Sequence, residues 1–304
     1  GDKVVSRGTI RGTHQGEFRG MAPTDEEMEI PGMAVFRFSE EGKVVESWDS
    51  YDQLSFMRQS IEQELRVARR IQQALLPKDM PLLNGWQITP YYQPAREVGG
   101  DFYDFFELED GRVGVAVGDA TGKGMPAALA GSATSSMLRA VAQALGSSSP
   151  GEVLSRVNET LLARIPPNMF VTCFYAILEP ESASLSYANA GHDLPYLHRS
   201  GAAEELRARG MPLGLMPGMG YEEKETILEA GESTLFYSDG LVEAHDPKGE
   251  MFGFPRLRAL ISKHAEQEPL GDFLLEELYS FVGEGWEQED DITLLTLRRF
   301  AFQR

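Results

Sequence analysis

Two short stretches carry the chemistry this sequence can do. Glu97-Val98-Gly99-Gly100-Asp101-Phe102-Tyr103-Asp104 and Val117-Gly118-Asp119-Ala120-Thr121-Gly122-Lys123-Gly124 each set an Asp beside glycine. Asp101 and Asp119 are 18 residues apart. The apolar-rich run from Phe105 to Val117 between them carries a turn at Glu109-Asp110-Gly111. That pattern predicts a β-hairpin that returns both carboxylates to one sheet edge. Two more Asp residues fit the pattern. Asp239 ends the apolar run Leu235-Phe236-Tyr237-Ser238, and Asp290 precedes the run Ile292-Thr293-Leu294-Leu295. Clustered carboxylates repel one another unless a cation sits among them, and a hard divalent metal takes oxygen ligands. Four Asp at strand ends therefore read as one assembled metal site. Taken singly, each is as readily a turn or cap residue.

The elements that must position these residues follow from periodicity. Strands are predicted from Trp86 to Tyr92, Gly114 to Val117, Phe170 to Leu178, Ala183 to Ala190, Pro195 to His198, Ser233 to Tyr237 and Ile292 to Arg298. Helices are predicted from Pro126 to Leu145, Pro150 to Ile165, Phe254 to His264 and Leu270 to Val282. In the first of these, Leu129, Met137, Leu138, Val141 and Leu145 are the residues available for packing. Strands in runs, then helix pairs, then strands again, point to an α+β fold with antiparallel sheets and segregated helices. Upstream, residues 1 to about 51 read as three strands, too few for a stable domain alone. Asp52 to Leu76 reads as one helix ended by Pro77. Leu54, Ile61, Ala68 and Leu75 recur every seven residues, with Met57 and Ile71 between them and Glu64 breaking the pattern. This is either a coiled-coil seam for a homodimer or the apolar face of an ordinary packed helix.

Composition narrows the function classes. A length of 304 residues suits two domains, or one large domain with an appendage. No run of about 18 apolar residues offers a transmembrane helix. The chain opens Gly1-Asp2-Lys3 without Met or a signal-like segment, which reads as a processed or partial chain. A single cysteine, Cys173, rules out an internal disulfide and fits a reducing cytoplasm. It sits in an apolar strand, as a buried thiol rather than a nucleophile. A net charge of −19 argues against nucleic acid or an anionic membrane as partner. The same charge repels a phosphate substrate unless metals or local Arg and Lys offset it. Gly122-Lys123-Gly124 lacks the upstream spacing of a nucleotide-binding phosphate loop, so Lys123 is a candidate only for orienting substrate.

Gly12-Thr13-His14-Gln15-Gly16-Glu17-Phe18, Val35-Phe36-Arg37-Phe38 and Val44-Val45-Glu46-Ser47-Trp48-Asp49 resemble the C-terminal half of a SnoaL-like domain of the NTF2-like fold. The resemblance implies a ligand or partner sensor, with His14 and Asp49 either pocket residues or structural and solvated ones.

A second resemblance covers residues 60 to 300. Its motifs are Ala68-Arg69-Arg70-Ile71-Gln72-Gln73-Ala74-Leu75-Leu76-Pro77, the two acidic stretches above, Asn189-Ala190-Gly191-His192-Asp193-Leu194-Pro195, Gly210-Met211-Pro212-Leu213-Gly214, Tyr237-Ser238-Asp239-Gly240-Leu241-Val242-Glu243-Ala244, and Asp290-Asp291-Ile292-Thr293-Leu294. In this order they resemble a PPM-type (PP2C-like) serine phosphatase of the RsbU/SpoIIE branch. The resemblance implies an α-β-β-α sandwich of two antiparallel sheets and a centre of two Mn²⁺ or Mg²⁺ ions. Asp119 would bridge the ions, the Ala120 carbonyl would be the backbone ligand beside it, and Asp101, Asp239 and Asp290 would complete the set. The paired ions would activate a water for in-line attack on phosphorus. By the same resemblance the substrate is a phosphorylated STAS-type anti-anti-sigma protein, in a partner-switching pathway that controls a sigma factor. His192 is either a general acid or structural, Asp104 and Asp291 are outer groups holding metal waters, and Arg96 is a candidate phosphate contact by proximity alone. The expected division is a sensor segment at 1–51, a signalling helix at 52–77 and a phosphatase domain at 78–304. The rival reading is a catalytically silent sensor or scaffold that keeps the domain as an interaction platform. A SnoaL-like cyclase or hydrolase is a weaker third.

Overall fold

The computed structural model of the chain describes residues 2–17, 23, 25, 27–77, 81, 83–146, 149–264 and 269–300. Two compact units emerge, Gly1–Arg70 and Ile71–Arg304. In the first, β1 (Lys3–Thr13), β2 (Glu27–Phe38) and β3 (Val44–Tyr51) form an antiparallel sheet in the order β1-β2-β3. The turn between β2 and β3 at Ser39-Glu40-Glu41-Gly42 is closed by Ser39 N–H to Lys43 O at 2.8 Å, with Gly42 at φ +76°. His14 is buried and lines a cavity of about 250 Å³ with Ile10, Met28 and Ile30, whereas Asp49 is exposed. Phe18, the end of the first SnoaL-like stretch, lies outside the described residues.

Helix α1 (Gln53–Leu75) runs as the heptad spacing predicts and stops before Pro77, whose ring cannot continue it. Along the predicted seam Ile61, Ile71 and Leu75 are more than half exposed. The side chains of Leu54 and Met57 lie outside those described. Just before the proline a different face turns inward. Gln72 is buried, and Leu76 packs against the core of the second unit.

That unit is four layers deep. One sheet has the order β11-β8-β7-β6-β5, the other β10-β9-β12-β13-β4, and every pairing is antiparallel. The first holds β5 (Phe102–Glu107), β6 (Val113–Ala120), β7 (Val171–Glu179), β8 (Ser184–Ala190) and β11 (Glu223–Ile227). The second holds β4 (Trp86–Gln93), β9 (Tyr196–Arg199), β10 (Ala202–Glu205), β12 (Ser233–Tyr237) and β13 (Ile292–Arg299). Val113, Val115 and Val117 of β6 face β13's Leu295 and Leu297 between the sheets. Ala116 and Ala120 face the opposite way, toward α2 (Met125–Leu145) and α3 (Pro150–Leu162). A strand buried on both faces reads as a continuous apolar run, which is why β6 showed no alternation. On the far side α5 (Gly253–Lys263) and α6 (Leu270–Val282) cover the other sheet through Leu257, Ile261, Leu274 and Leu278. The strand pairs and helix pairs follow the predicted order, and the α+β sandwich stands.

Helix α2 packs through Leu138, with Met137, Val141 and Leu145 against the same core, as expected, but Leu129 is 64% exposed and the first half of the buried face is Ala127, Ala128, Ala130 and Gly131. The cause is close approach: a Cβ on Gly131 would lie 2.3 Å from the Gly100 carbonyl oxygen. The helix therefore presses on the loop that carries Asp101.

Candidate metal centre

The β5–β6 hairpin is built as the sequence predicts. Its turn is closed by Gly111 N–H to Leu108 O at 3.0 Å, with Gly111 at φ +82°. The register pairs Phe102 with Gly118. Continued by one residue it sets Asp101 opposite Asp119, and Ala120 N–H reaches Gly100 O at 3.3 Å. Asp239 follows the end of β12 by two residues, after Ser238, and leads into the short helix α4 (Gly240–Glu243). Asp290 and Asp291 precede β13, the neighbour of β12 in the sheet. All these strand ends lie at the same end of the sandwich.

The four carboxylates lie within one another's electrostatic field and repel. Asp101 is 3% exposed, and burial, then the charges of Asp119 and Asp291, hold its carboxyl well above the usual range. Burial and the charges of Asp239, Asp290 and Asp291 push Asp119 up to about 7. Burial, Glu243, Asp290 and Asp193 push Asp239 up to about 6. The backbone carbonyl of Ala120 crowds the same spot: a Cβ on Gly100 would sit 2.8 Å from it and 3.0 Å from Asp119 Oδ1.

This donor set fits a hard divalent cation. It offers carboxylate and carbonyl oxygens and no soft ligand, and its like charges disfavour their own ionised forms until a cation joins them. The groups stand as neighbouring pairs rather than a closed cage. Among the described residues no three Asp, Glu, His or Cys side chains converge tightly enough to chelate one ion as placed. Asp290 Oδ2 is met by Lys123 Nζ at 2.8 Å.

Several expected roles change. Asp291 was expected to hold water, yet its carboxylate clamps the acidic loop: Oδ1 accepts from Ala95 N–H at 2.8 Å and Oδ2 from Gly100 N–H at 2.7 Å. Asp104 points to the helix side of its strand. It pairs with Arg139, whose Nε lies 3.0 Å from Oδ2, and accepts from Ser135 at 3.3 Å. Burial still holds its carboxyl above the usual range despite that partner. A Cβ on Gly118 would strike the Phe102 ring at 2.5 Å, so this glycine serves packing. Gly122 has open space around it and is needed for its φ of +97°. Lys123 also donates to Glu289 O at 2.9 Å, and Arg96 lies within its electrostatic reach. His192 is buried with both ring nitrogens engaged, and burial pushes it down to about 4, which fits a structural imidazole and not a general acid.

Some supporting residues gave no signal of their own. Gln72 donates to Gly99 O at 2.7 Å and accepts from Gly99 N–H at 3.2 Å, so the end of α1 grips the acidic loop. Thr293 Oγ1 donates to Asp101 Oδ2 at 2.5 Å. Asp193 and Glu243 stand within the field of Asp239. A polar residue inside an apolar stripe was the one available clue to Gln72.

Among the described residues no helix is long and apolar enough to cross a membrane. Residues 1–60 match the SnoaL-like polyketide cyclase family. Protein IcfG of Synechocystis sp. is 31% identical over 266 residues, covering 78% of this chain but only 41% of that protein. Phosphoserine phosphatase RsbU of Bacillus subtilis is 28% identical over 259 residues, covering 83% of this chain and 75% of that one. Among solved structures, the SiaA-PP2C domain of Pseudomonas aeruginosa aligns with a TM-score of 0.70 at 25% identity, over 80% of this chain and 97% of that one. Residues 109–300, well over half of the chain, match the Stage II sporulation protein E family, and with a PP2C-type sandwich beneath that match the chain belongs to the SpoIIE family.

Proposed function

We propose that this chain is a protein serine/threonine phosphatase that works with two divalent ions, Mn²⁺ or Mg²⁺. The observation that carries the reading is the mutual burial and repulsion of Asp101, Asp119 and Asp239, with Asp290 in the same field. Such a cluster is costly to fold unless it serves a cation. When bound, the ions would acidify a water and neutralise the phosphate. The chain's own residues do the rest. Asp101, Asp119, Asp239 and Asp290, with the Ala120 carbonyl, would hold the ions. Asp291, Gln72 and α2 keep the 95–101 loop rigid, so the donors are set before ligand arrives. Lys123 and Arg96 supply positive charge at the rim of a strongly acidic chain, where a phosphoserine must enter.

RsbU is by name a phosphoserine phosphatase. We extend that to a phosphorylated STAS-type anti-anti-sigma protein as substrate, in a cytoplasmic partner-switching pathway. The N-terminal sheet would sense a ligand or partner and α1 would transmit the signal. The exposed seam of Ile61, Ile71 and Leu75 supports a homodimer through that helix. One observation favours the silent-scaffold alternative: Lys123 already engages Asp290. Phosphate release from a phosphoserine STAS protein decides between them. We expect release with Mn²⁺, none in EDTA and none from Asp239→Asn. Turnover that survives EDTA, or that ignores Asp239→Asn, overturns the proposal.

A further inference from the structure

His192 sits in the turn after β8, behind Gly191 at φ +69°. Its backbone is fixed first. Its N–H donates to Asn189 Oδ1 at 2.8 Å, and its carbonyl accepts from Asn189 Nδ2 at 2.9 Å. The ring then spans the two sheets. Nε2 lies 3.0 Å from the Tyr237 carbonyl oxygen at the end of β12, and Nδ1 lies 2.9 Å from Thr172 Oγ1 on β7. A carbonyl only accepts, so Nε2 carries the proton. In the neutral ring Nδ1 is then an acceptor for the Thr172 hydroxyl.

Both partners lead to a proposed ligand. Thr172 is the register partner of Asp119 on β6, and its hydroxyl also approaches the Asp119 carbonyl oxygen at 3.3 Å. One hydroxyl hydrogen cannot serve both acceptors, and the shorter contact to Nδ1 takes it. Tyr237 stands two residues before Asp239. The ring therefore ties the strand that pairs with Asp119 to the strand that delivers Asp239. Other ties cross nearby, from Thr293 to Asp101, from Gly100 N–H to Asp291 and from Lys123 to Asp290, but none of these three touches Thr172 or β12, which the His192 ring joins.

We propose that His192 is a positioning residue that fixes the separation of Asp119 from Asp239, and through it the affinity of the site for divalent cations. This rests on the metal reading above. Neither ring nitrogen faces a substrate, so the ring's contribution is geometric. It lets the two sheets meet at one distance at the end where their carboxylates must share ions. Outer groups that orient ligands change metal affinity by about 10- to 100-fold when removed.

The test is calorimetric titration of the metal-stripped full chain with Mn²⁺ at fixed pH. His192→Phe keeps the ring volume and removes both hydrogen bonds. Thr172→Val removes the hydroxyl partner, and His192→Gln retains a donor toward Tyr237 O. Leu197→Ala, in the buried core on β9, serves as a destabilised control. We expect His192→Phe and Thr172→Val each to weaken Mn²⁺ binding about 10- to 100-fold. Their double variant should be no worse than the poorer single, because both break one linkage. His192→Gln should recover part of the loss, and the control should bind as wild type does. Should His192→Phe fail to fold, Thr172→Val carries the test. Wild-type-like binding by the folded variants, or an equal loss in the control, overturns this inference alone. A wild-type chain that binds no Mn²⁺ overturns it together with the metal reading.

Discussion

Asp119→Asn should make the metal-free protein more stable while abolishing its response to metal. The carboxyl of Asp119 is moved from 3.8 to about 7, first by burial and then by Asp239, Asp290 and Asp291. At about 1.36 kcal/mol per pH unit, ionising it inside the fold costs on the order of 4 kcal/mol. A carboxyl held above its unfolded value binds its proton more tightly in the folded chain. Its contribution to stability is therefore present at low pH and is lost as pH rises from about 4 through 7. Asparagine keeps the size and never ionises. The variant therefore gains on the order of 4 kcal/mol at pH 8. For a unit of this length that is roughly 8–16 °C in Tm. The assay is thermal unfolding of wild type and variant in EDTA at pH 8, repeated at pH 4, where the difference should vanish. Added Mn²⁺ should then stabilise wild type, by about 2.7 kcal/mol at one hundred times Kd, and leave the variant unmoved. A variant less stable than wild type in EDTA at pH 8, or stabilised equally by Mn²⁺, would refute the reasoning.

Three further perturbations follow from the supporting structure. Gly240→Ala would place a Cβ 2.1 Å from the Asp291 carbonyl oxygen, so either the turn after Asp239 or the start of β13 must move. We expect a loss of about 1–3 kcal/mol in denaturant unfolding and weaker Mn²⁺ binding in titration. Gln72→Ala leaves the buried N–H and carbonyl of Gly99 without their partner and should cost about 1–3 kcal/mol. Amide exchange around residues 95–101 should quicken, with β8 and β11 unchanged. Asp104→Ala should cost less than the ~3–5 kcal/mol of a fully buried pair, since half-exposed Arg139 can return to water. Mn²⁺ affinity should hold, which separates this pair from the centre.

The legible parts of the chain were those in which local pattern and tertiary role agree. The hairpin from Asp101 to Asp119 has its turn, its two apolar strands and its acidic ends all in one stretch. Helix α1 declared itself through heptads and Pro77. Strands β10 and β11 did not. Ala202–Glu205 and Glu223–Ile227 are short and mostly charged, and lie at sheet edges, where pairing with β9 and β8 decides what local preference cannot. On α2 the expected Leu138, Met137, Val141 and Leu145 pack, and Leu129 alone does not, for a related reason. Large apolar residues attract attention, but contact with the Gly100 backbone required alanine and glycine. At the site, residue types revealed the four aspartates and left the second acidic residue of each motif ambiguous. Asp104 and Asp291 share the chemistry of a water-holding carboxylate. Strand facing sent one to Arg139 and loop geometry sent the other to backbone amides, and neither is written in a motif.

The central claim is that four distant aspartates jointly hold two divalent ions. Equilibrium titration with Mn²⁺, counting ions bound per chain, tests it most directly. Wild type should bind two ions with saturation, and the Asp119→Asn/Asp239→Asn double variant should bind neither. Absence of saturable binding in the wild type, or unchanged binding in the double variant, would contradict it.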